Sequence, residues 1–180
     1  MILKSTKTYL NGLQIKQRKK FFDNRGYLSE ILNSKIFLKN KFKIKNTLVT
    51  QSKKNVLRGF HYQKKKPIAH IVTCIKGSIL DVVVDIRKDS ETFGKYESFI
   101  LSEKNNLTFY IPKGFAHGFL TLENNSIIIY HTSNEYIKEL DSGFIWNDDF
   151  VNFRWPVKNP ILSVKDKNLN NFISEFNLKG

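Results

Sequence analysis

Apolar and β-branched residues come in short runs, separated by turn signals at about ten-residue spacing. Thr47 to Thr50, Val56 to Tyr62, Ile68 to Ile75, Ser78 to Ile86, Glu97 to Leu101, Leu107 to Ile111 and Ile127 to His131 read as strands. Phe21 to Glu30 reads as strand, tight turn, strand, with Asn24-Arg25-Gly26 at the turn. This rhythm predicts an all-β sandwich or barrel with no repeat or low-complexity linker. Residues 1–20 alternate weakly and read as an edge strand or an arm reaching a partner, and residues 35–45 are basic and irregular. Near the end, Leu169, Phe172, Ile173 and Phe176 have helical spacing, which predicts a short amphipathic helix covering an open end of the barrel.

The run Ile68 to Ile86 carries the first candidate chemistry. Lys76-Gly77 reads as a two-residue hairpin loop. If Ile75 pairs with Ser78, His70 pairs with Val83 and Val72 with Asp81. That register makes His70 and Asp81 diagonal neighbours on one face. A carboxylate on a half-buried sheet face needs a partner. The pair is then either a structural pin for the hairpin or part of a site.

Composition narrows the setting. A chain of 180 residues suffices for one domain with a full core. The single cysteine, Cys74, cannot form an intramolecular disulfide, and no apolar run approaches membrane-spanning length. A reduced, cytoplasmic protein with no membrane partner is the expectation. The formal charge of +14 suits an anionic substrate or nucleic acid. The lysines are scattered, however, and no recognition helix or zinc-finger spacing accompanies them, so no nucleic-acid partner is expected.

Two stretches concentrate functional residue types: Arg58-Gly59-Phe60-His61-Tyr62-Gln63, and Pro112 to Phe119 with His117 inside it. Pro112-x-Gly114-x-x-His117 has the spacing of the second cupin motif. The earlier stretch, though, offers Gln63 where a metal cupin has its second histidine. Two histidines fall short of the three ligands usual for a catalytic metal, so a cupin shell without a metal is expected.

The residues Asp23 to Glu30, Leu57 to Gln63, Gly77 to Arg87, Ser90 to Gly94, Ile111 to Phe119, Tyr130 to Tyr136, Trp146 to Asp148 and Ser163 to Asp166 follow one another as in a known family. The chain resembles the dTDP-4-dehydrorhamnose 3,5-epimerases and their relatives acting on other nucleotide-linked 4-keto sugars. The resemblance implies a double-stranded β-helix (jelly roll) and a homodimer whose N-terminal strand is exchanged between subunits. It divides the domain into N-terminal strands (1–30), a core (31–150) and a C-terminal loop and helix (151–180). By position, His61 resembles the catalytic base, Asp166 its carboxylate partner and Tyr136 the acid on the other side of the sugar. Arg58, Gln63, His117 and Lys165 match substrate-binding positions, and Arg25 and Glu30 match nucleotide contacts given to the neighbouring subunit.

The implied chemistry suits these residue types. A hydrogen beside the C4 ketone is removable because the ketone takes up the charge as an enolate, so no cofactor is called for. A histidine takes that proton near neutral pH, and a carboxylate behind it fixes the tautomer. The chain departs from the family at His70, where a lysine is usual, and at Leu28, where an aromatic ring often stacks on thymine. The hairpin register has Asp81 keeping His70 protonated, so that His70 donates to the C4 oxygen. Both thymidine- and guanosine-linked sugars for surface polysaccharides remain open. So do inversion at one carbon only, a 3,4-ketoisomerase, and a sugar-nucleotide-binding module without catalysis.

Overall fold

Two antiparallel sheets face each other in a computed structural model that describes residues 5, 6, 8–32 and 42–178. Of the basic stretch 35–45, residues 35–41 lie outside that description. The six-stranded sheet has the order β1 (Ser5–Thr6), β2 (Gln14–Gln17), β10 (Leu107–Ile111), β7 (His70–Lys76), β12 (Ser126–Thr132), β5 (Asn46–Ser52). The five-stranded sheet runs β13 (Asp141–Gly143), β6 (Leu57–Gln63), β11 (Phe115–Thr121), β8 (Ser78–Asp85), β9 (Tyr96–Ser102). A separate hairpin, β3 (Lys20–Asp23) with β4 (Gly26–Ser29), pairs only with itself among the described residues. The arrangement is a jelly roll, as expected. No described helix is long and apolar enough to cross a membrane.

The expected hairpin between β7 and β8 does not form. Those strands lie in different sheets, and Gly77 alone joins them. One residue cannot close an antiparallel hairpin, which needs at least two. The chain instead turns a corner from one sheet to the other. Gly77 sits at φ +69°, and a Cβ there would come within 2.3 Å of Ser126 Oγ. Lys76-Gly77 is thus a strand end plus a corner, and His70 and Asp81 belong to opposite walls.

Alternate residues of the two sheets fill the space between them. Ile15, Val72, Ile79, Leu101 and Phe109 pack together there with essentially no exposure. Burying each such side chain stabilises the fold by about 1.5–3 kcal/mol. Polar residues replace apolar ones at the other end of this interior, and that substitution opens a cavity.

The outer face of the five-stranded sheet carries a second core. Leu57, Phe60, Val84 and Leu120 pack there against Phe144, Trp155, Phe172 and Phe176 from the C-terminal region. The short helix α2 (Phe172–Phe176) therefore covers a sheet face, not an open end of the barrel. Leu169 falls before its N-cap, Asn171, whose side chain accepts from Ser174 N. The N-terminal strands pair within the chain, β2 lying on β10.

Candidate active site

The Arg-Gly-Phe-His stretch owes its geometry to a bulge. On β6 and β11, His61 lies opposite His117 and Arg58 opposite Phe119, so three steps on one strand match two on the other. Because His117 and Phe119 share a face, the extra residue brings Arg58 and His61 onto one face as well. The strands meet very closely at this point. A Cβ on Gly59, at φ +118°, would lie 2.4 Å from Gly118 Cα, and one on Gly118 would lie 2.8 Å from the Arg58 carbonyl oxygen. Two facing glycines are what allow the bulge.

His61 Nε2 donates to Asp166 Oδ1 at 2.5 Å. Asp166 is buried in the first turn of α1 (Val164–Lys167). The N-cap Ser163 accepts from Asp166 N and donates its hydroxyl to Asp166 Oδ2 at 2.8 Å. Burial alone would raise this carboxyl, but the His61 hydrogen bond and charge, with help from Ser163 and Lys165, hold it below the ordinary carboxylate range. With Nε2–H committed to Asp166, His61 keeps the lone pair of Nδ1, which has no hydrogen bond among the described residues.

A cavity of about 220 Å³ is bordered by Thr50, Arg58, His70, His117, Tyr130 and Thr132, with Leu48 and Phe119; His61 is not in this lining but lies directly opposite His117 on the paired strand. Arg58 has no carboxylate within ion-pair distance among the described residues, and its guanidinium reaches Ser52 Oγ at 3.4 Å. Burial, and then the Asp81 charge, push the Tyr130 hydroxyl well above its ordinary range, so it stays protonated. The histidine with which Asp81 associates is His117, not His70. Phe119 lies directly opposite Asp81 on β8 and β11, so His117 is its diagonal neighbour. Asp81 Oδ1 stands 3.5 Å from His117 Nδ1. The His70 and His117 rings meet across the sandwich with centroids 4.8 Å apart. Burial and the His117 charge lower His70 far below its usual value, so Asp81 does not keep it protonated. The remaining histidine, His131, alternates to the other face of β12 and bonds Thr47 Oγ1 at 3.0 Å.

Other expected residues stand apart from this cavity. Strand β12 ends at Thr132, so Tyr136 does not continue its inward face. Tyr136 is 57 % exposed and donates to Asp141 Oδ2 at 2.7 Å, a carboxylate that also pairs with Lys165. Both ends of the Gln63 amide serve the main chain, donating to Lys66 O at 2.8 Å and accepting from Ile137 N at 2.7 Å. Arg25 pairs with Asp23 at the tip of the β3–β4 hairpin, and Glu30 follows that hairpin; neither borders the cavity of its own chain. Tyr130 was not among the site residues expected from the sequence. Its i, i+2 relation to Thr132 was the signal that both point inward. No group of three His, Cys, Asp or Glu side chains among the described residues is arranged to hold a metal ion.

The likeness to known proteins extends beyond this constellation. The family model described as dTDP-4-dehydrorhamnose 3,5-epimerase matches residues 7–174. The dTDP-4-dehydrorhamnose 3,5-epimerase of Shigella flexneri is 41 % identical over 172 residues, covering 93 % of this chain and 94 % of that protein. A dTDP-6-deoxy-D-glucose-3,5-epimerase from Legionella pneumophila Philadelphia 1, solved with dTDP-4-keto-L-rhamnose, superposes with a TM-score of 0.91 at 32 % identity, covering 99 % of this chain and 95 % of that one. ChmJ, a 3'-monoepimerase from Streptomyces bikiniensis solved with dTDP-quinovose, gives a TM-score of 0.87 at 27 % identity over 95 % of this chain and 90 % of that one. Sequence match along nearly the whole chain, shared jelly roll and a histidine–carboxylate pair on its inner face agree, and the chain belongs to the dTDP-4-dehydrorhamnose 3,5-epimerase family.

Proposed function

We propose that the chain inverts the carbons flanking the ketone of a dTDP-linked 4-keto-6-deoxy sugar, with His61 as base and Tyr130 as acid on the opposite side. The observation that carries this reading is the His61–Asp166 hydrogen bond, with His61 opposite His117, which borders a cavity together with a protonated tyrosine. His61 Nδ1 takes the hydrogen from C3 or C5, and the electrons of that bond pass into the C4 carbonyl as an enolate. The imidazolium that forms is stabilised by the Asp166 carboxylate. Inversion requires the new proton from the other face, and the Tyr130 hydroxyl supplies it. Arg58, without a carboxylate of its own among the described residues, suits the anionic part of the substrate. Relatives solved with dTDP sugars favour the thymidine nucleotide over the guanosine one.

The substrate site is completed, on this reading, by a second copy of the chain. The β3–β4 hairpin presents Phe21, Phe22, Tyr27 and Leu28 to solvent, and neither its Arg25 nor the following Glu30 borders the cavity of its own chain. Such a hairpin suits insertion beside a neighbour's nucleotide.

NMR in heavy water with dTDP-4-keto-6-deoxyglucose tests the reaction. Two deuterons, one at C3 and one at C5, are expected; one alone makes the chain a mono-epimerase like ChmJ, and none refutes catalysis. His61→Asn should abolish exchange.

A further inference from the structure

A second cavity, of about 410 Å³, lies between the β3–β4 hairpin and the body of the chain, where Arg18, Leu28, Ile31, Ile75 and Glu103 border it. Ile75 stands five residues along β7 from His70, about 17 Å at strand spacing, so this cavity is separate from the candidate active site. Arg18 is only 6 % exposed. Its Nη1 donates to Ser29 Oγ at 3.2 Å and its Nη2 to the Cys74 carbonyl oxygen at 3.5 Å, while Nε has no partner among the described residues. None of the ion pairs among the described residues includes Arg18. Outside the described residues, positions 1–4, 7, 33–41, 179 and 180 contain no Asp or Glu. The chain therefore supplies this guanidinium with no carboxylate side chain. Burial draws it below its ordinary range, and no carboxylate offsets that effect. A buried arginine is almost always paired, because an uncompensated charge away from water is costly.

We propose that this cavity binds a small monocarboxylate, whose two oxygens are taken by the Arg18 guanidinium and whose short apolar body lies against Ile31 and Ile75. Nε–H and the neighbouring Nη2–H form the planar fork that matches a carboxylate. Nη2 reaches the Cys74 carbonyl only at the limit of a hydrogen bond, so this edge of the guanidinium keeps its capacity for a ligand. A water molecule can accept from Nε but brings no charge to balance the cation. The Glu103 carboxylate borders the same cavity without reaching ion-pair distance of Arg18, and it opposes a second negative charge on the ligand. That favours a carboxylate over a phosphate. Because Arg18 also holds Ser29 at the end of β4, an occupied cavity braces the root of the hairpin. The inference does not depend on the reaction proposed above.

Isobutyrate is a suitable probe for the full chain. In protein labelled with ¹⁵N-arginine, the Nε–H resonance of Arg18 is the one missing from Arg18→Met. Isobutyrate should shift that resonance saturably, with a Kd of about 1–10 mM. At ten times Kd it should raise the wild-type melting temperature by about 2–6 °C over an equal concentration of sodium chloride. Arg18→Met should lose that gain, and Arg18→Lys, which keeps the charge but not the fork, should bind at least about fivefold more weakly. Arg58→Leu, altered in the other cavity, should keep the gain. Inorganic phosphate should bind more weakly than isobutyrate, and Glu103→Gln should narrow the difference. A shift still linear at about 100 mM isobutyrate, a thermal gain equalled by chloride, or a gain kept in Arg18→Met overturns the site. Phosphate binding more tightly than isobutyrate overturns the carboxylate assignment. Arg18→Met melting below wild type, with wild type indifferent to isobutyrate, makes Arg18 a structural pin between Ser29 and Cys74 and also overturns the proposal. Should Arg18→Met fail to fold, the wild-type titration and Arg18→Lys decide.

Discussion

On the proposed mechanism, the Asp166 carboxylate serves His61 by fixing which ring nitrogen carries hydrogen and by balancing the charge that arrives with the abstracted proton. Asp166→Asn keeps the shape but loses both effects, and kcat should fall about 10²–10⁴-fold while dTDP binding is largely kept. Initial exchange rates and calorimetry check this. The same carboxyl ties stability to pH. Its folded pKa lies below the ordinary value, so its contribution is present above the unfolded pKa and is lost as pH falls through the folded one. Thermal melts from pH 7 to pH 3 should therefore show wild type losing its margin over Asp166→Asn. At this scale the sequence was informative where a residue's placement is local to its motif, as for Arg58, His61 and His117 on one face of β6 and β11. It misled where role depends on what lies across the interior. Asp81 was correctly expected to need a diagonal partner, but that partner, His117, sits on another strand 36 positions later, and Tyr130 lines the cavity where Tyr136 was expected.

Between elements, the bulge joining β6 to β11 sets the site. Gly118→Ala would place a methyl 2.8 Å from the Arg58 carbonyl, and the strands must separate to admit it. A loss of about 1–3 kcal/mol is expected, with a melting temperature lower by roughly 2–10 °C. Activity should fall further than stability, because Arg58 and His61 lose their shared face; melting and exchange measured on one preparation separate the two effects. Strand positions themselves were readable from the apolar runs, and β10 matches its expected span, Leu107 to Ile111, at both ends. Pairing was not readable at Gly77, because a strand end beside a corner and a two-residue hairpin use the same residue types. The C-terminal helix was legible from its spacing, but its docking surface depends on the outward residues of β6, β8 and β11, which no local pattern reveals.

For the whole molecule, the protruding hairpin makes the strongest demand. Phe22 is 75 % and Leu28 72 % exposed, on a hairpin that joins neither sheet among the described residues. Apolar surface of this kind marks an interaction site. Sedimentation velocity should show a dimer, and Phe22→Ser with Leu28→Ser should shift it towards monomer and raise KM for the sugar nucleotide; an unaltered dimer would place the interface elsewhere.

His61 and Asp166 are separated by 105 positions, and the carboxylate stands on a helix that follows every described strand. During synthesis the barrel wall holding the histidine emerges long before the acid that primes it. A chain made only as far as the last described strand thus carries an imidazole without that carboxylate behind it, and on the proposed mechanism its ability to move a carbon-bound proton waits for residue 166. Turnover is for that reason a stringent report of a correctly seated α1.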